Sequence, residues 1–332
     1  MRVLITGATG FLGRVLVQRL LDAGHEVATL VRINDAGLDK LGVEQQPGDV
    51  TALDSVIAAA TGRDAVIHCA ARIGALGRLD DYYDTNVRGT DNVLAACEVA
   101  DVRRMVFTSC AGVVMDGADL NGVSESQRIA ARAPTPYLAT KAIAERHVLA
   151  ANGPQLATVA LRPHLLWGPG ERLLLPRLAS LAKAGRLRLF GDPAKKIDAC
   201  YVDNAADAHV QALARLEPEA AIAGKVYFIT QGEPVSVEGF LNGLLRAAGY
   251  PGETRRMSAL VARTLAAGAG ARRALTGTEP LVTQDSLALF AQTAWFNIAA
   301  ARRDLGYAPR VATPEGLARV SAHLARERMR AR

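Results

Sequence analysis

Short apolar runs alternate with helically spaced apolar positions along the first half of the chain. Arg2-Val3-Leu4-Ile5-Thr6 is one such run, and Leu12, Leu16, Leu20 and Leu21 then mark one helix face that stops at Gly24. The pattern predicts strands beginning near Arg2, Glu26, Val43, Ala65, Met105 and Ala157, and helices running from Phe11, Leu53, Asp80 and Pro136. Val226-Tyr227-Phe228-Ile229-Thr230 reads as a further buried strand. Strands of this kind, each followed by a helix, predict an α/β fold with a doubly wound parallel sheet covered on both faces. The expected division is a nucleotide-binding core over 1–164, completed by 198–232, and a smaller, mostly helical C-terminal substrate lobe from 165–197 and 233–332. A lobe helix is expected near Leu175 to Ala184. Ser258 to Ala271 is rich in Ala and Gly, but Arg263 interrupts it, and it falls short of the roughly 20 apolar residues of a membrane span.

The stretch between the first strand and first helix carries chemistry. Gly7-Ala8-Thr9-Gly10-Phe11-Leu12-Gly13 has the order strand, glycine turn, helix that a dinucleotide (Rossmann) fingerprint requires. Gly7 allows the tight turn, Gly10 lets a pyrophosphate approach the backbone, and Gly13 lets helix and strand pack closely. Thr9, Phe11 and Leu12 lie among these glycines and join them as cofactor contacts. The spacing is Gly-x-x-Gly-x-x-Gly rather than the commoner Gly-x-Gly-x-x-Gly. The second strand ends in Val31-Arg32, with no carboxylate to hold a ribose hydroxyl and a guanidinium suited to a phosphate. NADP(H) is therefore the expected cofactor. Asp49 and Val50 are expected against the adenine, and Ala70 and Ala71 where the cofactor passes close to the backbone.

Tyr137 and Lys141 are one helical turn apart and share a face. Thr135 is suited to cap that helix and Pro136 to begin it. The positive end of the helix and the lysine are both expected to lower the phenol's pKa, fitting it for proton exchange with a substrate oxygen.

Composition narrows the class. Half the residues are hydrophobic and 5% aromatic, which suits a helix-rich fold built on Ala, Leu and Val. Cys69, Cys97, Cys110 and Cys200 are far apart with no metal-ligand spacing, and no metal is expected. The chain opens on its first strand without a targeting segment, so a reducing, cytoplasmic setting is expected. The net charge of +6 comes from scattered arginines and a basic tail, not a stripe interleaved with aromatics, so nucleic acid is not an expected partner.

Together these residues resemble the extended short-chain dehydrogenase/reductase family. The likeness includes Thr6 to Gly13, Asn86-Val87-Arg88-Gly89-Thr90, Tyr137 with Lys141, Leu161-Arg162-Pro163 and Tyr201 to Ala208. Ala139 to Glu145, Leu161 to Gly170 and Gly224 to Thr230 resemble its 3β-hydroxysteroid dehydrogenase-like branch, most of all members that reduce a 2-alkyl-3-oxoalkanoate to the 3-hydroxy acid with NADPH. The resemblance implies that Tyr137 is the general acid, that Lys141 binds the nicotinamide ribose, that Asn86 orders the site from behind, and that Pro163 to Leu166 serve the carboxamide. It implies a homodimer, and it likens Ser258 to Ala271 to a lid or a helix making weak membrane-surface contact. The family's Ser/Thr position is occupied by Cys110, with Ser109 before it. Cys110 acting weakly, Ser109 taking over by a local shift, and Tyr137 sufficing alone all stay open. Ile73, Val113, Met115, His164, Leu165 and Trp167 are pocket candidates by position for a small-molecule keto or hydroxy substrate that is bulky and apolar. The same fold and pair also serve 3β-hydroxysteroid or sterol dehydrogenases and nucleotide-sugar epimerases or dehydratases. A non-catalytic, NADP-binding redox sensor is the reading from outside catalysis.

Overall fold

Six apolar runs and one polar edge segment become the strands of one parallel sheet: β1 (Arg2–Thr6), β2 (Glu26–Val31), β3 (Glu44–Pro47, the polar one), β4 (Ala65–His68), β5 (Arg104–Thr108), β6 (Ala157–Pro163) and β7 (Lys225–Ile229). The computed structural model describes residues 1–74, 78–269 and 280–330. The strands pair in the order β7-β6-β5-β4-β1-β2-β3, and every pairing is parallel. Alternate side chains of each strand feed two different cores. Val3, Ile5, Val106, Val159 and Leu161 pack with α1 (Phe11–Asp22) and α6 (Val202–Arg215). Leu4, Met105, Phe107 and Ala160 pack with α2 (Leu53–Ala60), α3 (Gly89–Val99) and α4 (Pro136–Ala150) on the other face. Period-two alternation of buried side chains thus covers both faces, as the uninterrupted apolar runs require.

The strand order reverses between β1 and β4. In such sheets a ligand binds at the carboxyl ends where the order reverses. The glycine turn after β1 and Cys69-Ala70-Ala71 after β4 flank that crevice.

The helix expected from Asp80 runs without interruption from Leu79, as an α-helical stretch over Leu79–Tyr83, a π-helical turn over Asp84–Arg88, and then α3. The wider turn carries Asn86, and such turns recur at functional sites.

A third core belongs to the C-terminal lobe. It gathers Leu175, Leu178 and Leu181 of α5 (Leu174–Lys183) with Phe240, Leu241 and Leu244 of α7 (Val237–Ala247) and with Phe290 of α8 (Gln284–Phe290). The segment from Ser258 is helical over Ala259–Ala267, with Ala262 and Ala266 turned inward and Leu260 and Val261 exposed. Its expected end at Ala271 lies outside the described residues. Among the described residues no helix is long and apolar enough to cross a membrane.

The glycine turn is sterically closed. A Cβ on Gly13 would lie 2.1 Å from the Gly7 carbonyl oxygen and 2.7 Å from Ala8 Cα. Gly7 has φ +76°, and its Cβ would meet Ala70 N at 2.7 Å. Gly13→Ala is therefore expected to destabilise the cofactor-free protein by about 1–3 kcal/mol, the usual cost of overpacking. Urea unfolding with an unchanged midpoint would contradict it.

Candidate active site

α4 begins as its sequence indicated: Thr135 accepts from Leu138 N and Pro136 holds the first helical position. Tyr137 thus stands in the first turn, and Thr140, Lys141 and Glu145 are buried behind it. The Tyr137 hydroxyl is beside the Cys110 thiol, two residues past the end of β5. Lys141 Nζ donates to the Thr108 carbonyl (2.6 Å) and lies 4.0 Å from the centre of the Phe107 ring. Burial lowers its pKa to about 8, against the raising influence of Cys110, Cys69 and Glu145.

The phenol departs from expectation. Helix end and lysine were expected to lower its pKa. Instead burial pushes it well above the ordinary value, reinforced by Cys110 and by Asp285 of α8. Desolvation disfavours the charged form and is the largest cause of the shift. The resting tyrosine is a protonated acid.

The structure separates the two residues of the Ser/Thr position. Cys110 is against Tyr137, its thiol pushed up to about 11 by burial. Ser109 is 1% exposed and donates to Glu145 Oε2 (2.6 Å). That carboxylate also accepts from Arg162 Nε (2.9 Å) and Nη2 (2.6 Å), in an ion pair with 0% and 4% side-chain exposure. The expectation that Ser109 could shift into place therefore fails in this geometry, because its hydroxyl is committed to a buried charge.

Hydrogen-bond direction can be followed behind the site. His209 Nδ1 faces the Ala205 carbonyl (2.7 Å), which only accepts, so that nitrogen carries the proton. Nε2 then accepts from Thr108 Oγ1 (2.8 Å), which in turn accepts from Cys69 Sγ (3.0 Å). Asn86 receives Arg72 N on its Oδ1 (2.7 Å) and donates to Arg72 O and Thr140 Oγ1, tying the π turn to α4 as the resemblance implied.

The other candidates fall into three groups. Gly10 starts α1 without any side-chain cap, so the first-turn amides suit an anionic phosphate. Thr9 and Gly10 are exposed at this turn, Phe11 is half-buried, and Leu12 belongs to the core. A cofactor phosphate therefore fits the residues present. Arg32 is 81% exposed with Nε 4.0 Å from Asp49 Oδ2, so these two candidates do meet. Val50 is buried, and Ala70 N donates to Thr6 Oγ1 (3.2 Å), with half-buried Ala71 beyond. Pro163 ends β6, and Leu165 adopts φ +38°, a strained conformation for a branched residue at the mouth of a site.

Three of the pocket candidates lie within hydrophobic cores. Val113 and Met115 are fully buried in the sheet core. Trp167 is packed edge-on against Tyr201 (5.2 Å) and Phe240 (5.5 Å) in the lobe core. His164 is buried, with Nδ1 on the Asp198 carbonyl (3.1 Å), and burial lowers its pKa to about 4. Ile73 is 55% exposed. Sequence reading missed Arg162, Glu145 and Asp285 as parts of the site. Glu145 continues the four-residue spacing of Tyr137 and Lys141, and Arg162 is a lone charge in an apolar strand; both signals were legible. Asp285 left none, since it arrives from the far lobe and is held by a hydrogen bond with Thr135.

A tyrosine and lysine on a capped helix, facing a glycine-turn crevice, are the parts of a short-chain reductase. The model of the 3-beta hydroxysteroid dehydrogenase/isomerase family matches residues 4–259. The chain belongs to that family. It is an oxidoreductase, as its named reductase and dehydrogenase relatives are. It is 43% identical to a 2-alkyl-3-oxoalkanoate reductase of Stenotrophomonas maltophilia, over 97% of this chain and 99% of that one. It is 35% identical to a 3 beta-hydroxysteroid dehydrogenase/Delta 5-->4-isomerase of Mycobacterium tuberculosis, over 95% and 88%. The structure of a dTDP-glucose 4,6-dehydratase from Streptomyces venezuelae shares the fold, with a TM-score of 0.78 at 23% identity, over 99% of this chain and 98% of that one.

The buried lysine has a consequence for stability. Its folded pKa of about 8 lies below the ordinary 10.5. The unfolded chain therefore binds the extra proton between those values, and this group's contribution makes stability rise with pH through that window. Relative to Lys141→Met, the unmutated cofactor-free protein should gain stability as pH rises from about 8 to 10.5. Denaturant unfolding showing a difference independent of pH would refute this.

Proposed function

We propose that this enzyme uses NADPH to reduce the ketone of a 2-alkyl-3-oxoalkanoate to the 3-hydroxy acid. The observation that carries the reading is the half-buried Tyr137 against Cys110, with buried Lys141 one turn further along α4. Likeness to the Stenotrophomonas reductase over nearly the full length of both chains supports the substrate class. The first-turn amides of α1 would hold the phosphates of a nicotinamide cofactor, and Arg32 would take the extra phosphate that distinguishes NADP from NAD; bound in the glycine crevice, the reduced cofactor would supply the hydride.

The chain's own residues handle the proton. Tyr137 donates its hydroxyl proton to the substrate oxygen as negative charge develops there. A phenol kept neutral by burial is already in the form reduction needs, whereas alcohol oxidation would need it deprotonated first. Lys141 offsets the tyrosinate charge from one helical turn away. Cys110 flanks the same oxygen and is a weaker donor than the hydroxyl usual at this place.

Loss of NADPH absorbance with a 2-alkyl-3-oxoalkanoate, compared with a 3-oxosteroid, tests the reading, alongside product analysis of UDP-glucose incubated with NAD for an epimer or a 4-keto sugar; turnover of either rival and not of the β-keto acid would overturn it. Tyr137→Phe should keep NADPH binding but lower turnover by roughly two or more orders of magnitude, the scale of general acid catalysis. Cys110→Ser should preserve or raise turnover, and Cys110→Ala should cost about tenfold, less than loss of a full oxyanion donor. Near-normal rates for Tyr137→Phe would sink the mechanism.

The cofactor assignment has its own measurement. Arg32→Ala should weaken NADPH binding by about 1.5–3 kcal/mol, the worth of a charge-assisted hydrogen bond, and leave NADH nearly unchanged. Equal dissociation constants for the two cofactors in the unmutated enzyme would reverse it.

A further inference from the structure

The lobe holds a cavity of about 60 Å³ between α5, α7 and α8. Its inner wall is apolar and includes Leu178, Leu181, Leu189, Leu241 and Phe290. The charged groups around it are already engaged. Arg256 pairs with Glu238. Arg188 Nη1 donates to the carbonyls of Gly185 (3.1 Å) and Leu187 (2.6 Å). Arg177 Nη2 donates to the Pro280 carbonyl (2.8 Å). A nucleotide diphosphate needs donors that are not spent on backbone and carboxylate partners, whereas a hydrocarbon needs none.

The cavity is joined to the catalytic end by two pieces of chain. α8 contributes Ser286 and Phe290 to the wall, and Asp285 between Gln284 and Ser286 is hydrogen-bonded with Thr135, the cap of the catalytic helix. Leu165, two residues past the end of β6, packs against the same lobe core. Tyr137 and Lys141 do not line the cavity, so it fits the far part of a substrate, not its reacting carbon.

We propose that this cavity receives the distal end of one hydrocarbon chain of the substrate, and that Leu178, Leu241 and Phe290 set the chain length accepted. The assignment rests on the β-keto acid reading above. One water needs roughly 10–15 Å³ of such space, so the cavity takes a short run of methylenes. Each methylene buried there should contribute about fourfold in affinity.

The test uses the full chain with NADPH and 2-alkyl-3-oxoalkanoates whose two chains lengthen together from butyl to dodecyl. Leu241→Trp, which fills the cavity, should lower kcat/KM for the longest substrates at least tenfold while sparing the shortest and the NADPH dissociation constant. Leu178→Ala, which enlarges it, should move the optimum toward longer chains; it carries the test if the tryptophan variant does not fold. Calorimetry with dodecanoate adds a readout separate from turnover: binding to the unmutated protein, weakened by Leu241→Trp, supports the cavity even if no β-keto acid is reduced, and that pattern would locate the failure in the proposed reaction. An unchanged length profile in both variants, an equal loss at every length, or UDP-glucose displaced by Leu241→Trp would each overturn the proposal.

Discussion

Glu145 has its carboxylate sealed from water, and the catalytic end is arranged around that charge. Such a group is tolerated only with matched partners. Arg162 supplies two donors from β6, and Ser109 supplies a third from the end of β5. Glu145 itself sits on α4, one turn beyond Lys141 and two beyond Tyr137. Three elements that present the active groups are thereby fixed to one point. Removing one member of such a pair typically costs about 3–5 kcal/mol, since it strands the other charge. The Arg162 guanidinium also lies 5.3 Å from the Phe228 ring on β7, which extends the anchorage to the sheet edge.

That anchorage decides which side chain meets the phenol. With the Ser109 hydroxyl bound to Glu145, the next residue along the chain, Cys110, is the one presented to Tyr137. A thiol at this place donates weakly, and burial keeps it protonated. Tyr137 sits in a site whose desolvation favours the neutral phenol, the form that the proposed acid role needs. The same burial depresses Lys141, so the pair is tuned toward neutrality on both sides before any ligand enters. Binding of an anionic cofactor would favour the ammonium again, which makes the charge state of the lysine responsive to occupancy.

The sheet provides the other half of the site. Reversal of strand order between β1 and β4 opens the crevice, and the glycine turn lies across it because any side chain at Gly7 or Gly13 would collide with backbone. Lobe and sheet then meet through Asp285 at Thr135 and through Leu165, whose left-handed backbone turns the chain from β6 toward the lobe.

The linear sequence was enough to specify the repeating strand–helix order, the glycine turn, the Thr135 cap with Pro136, and the Tyr137–Lys141 spacing. Each depends on neighbours within a few residues: hydrophobic period, φ preference and helical pitch act locally. Tertiary structure alone decided the rest. Trp167, Val113 and Met115 carry side chains suited to a pocket or a core, and only packing against Tyr201, Phe240 and the sheet placed them in cores. Ser109 and Cys110 are adjacent and chemically alike, and the choice between them came from a carboxylate 36 residues away. The phenol's pKa is raised chiefly by burial, which depends on what packs around the side chain and which spacing does not encode.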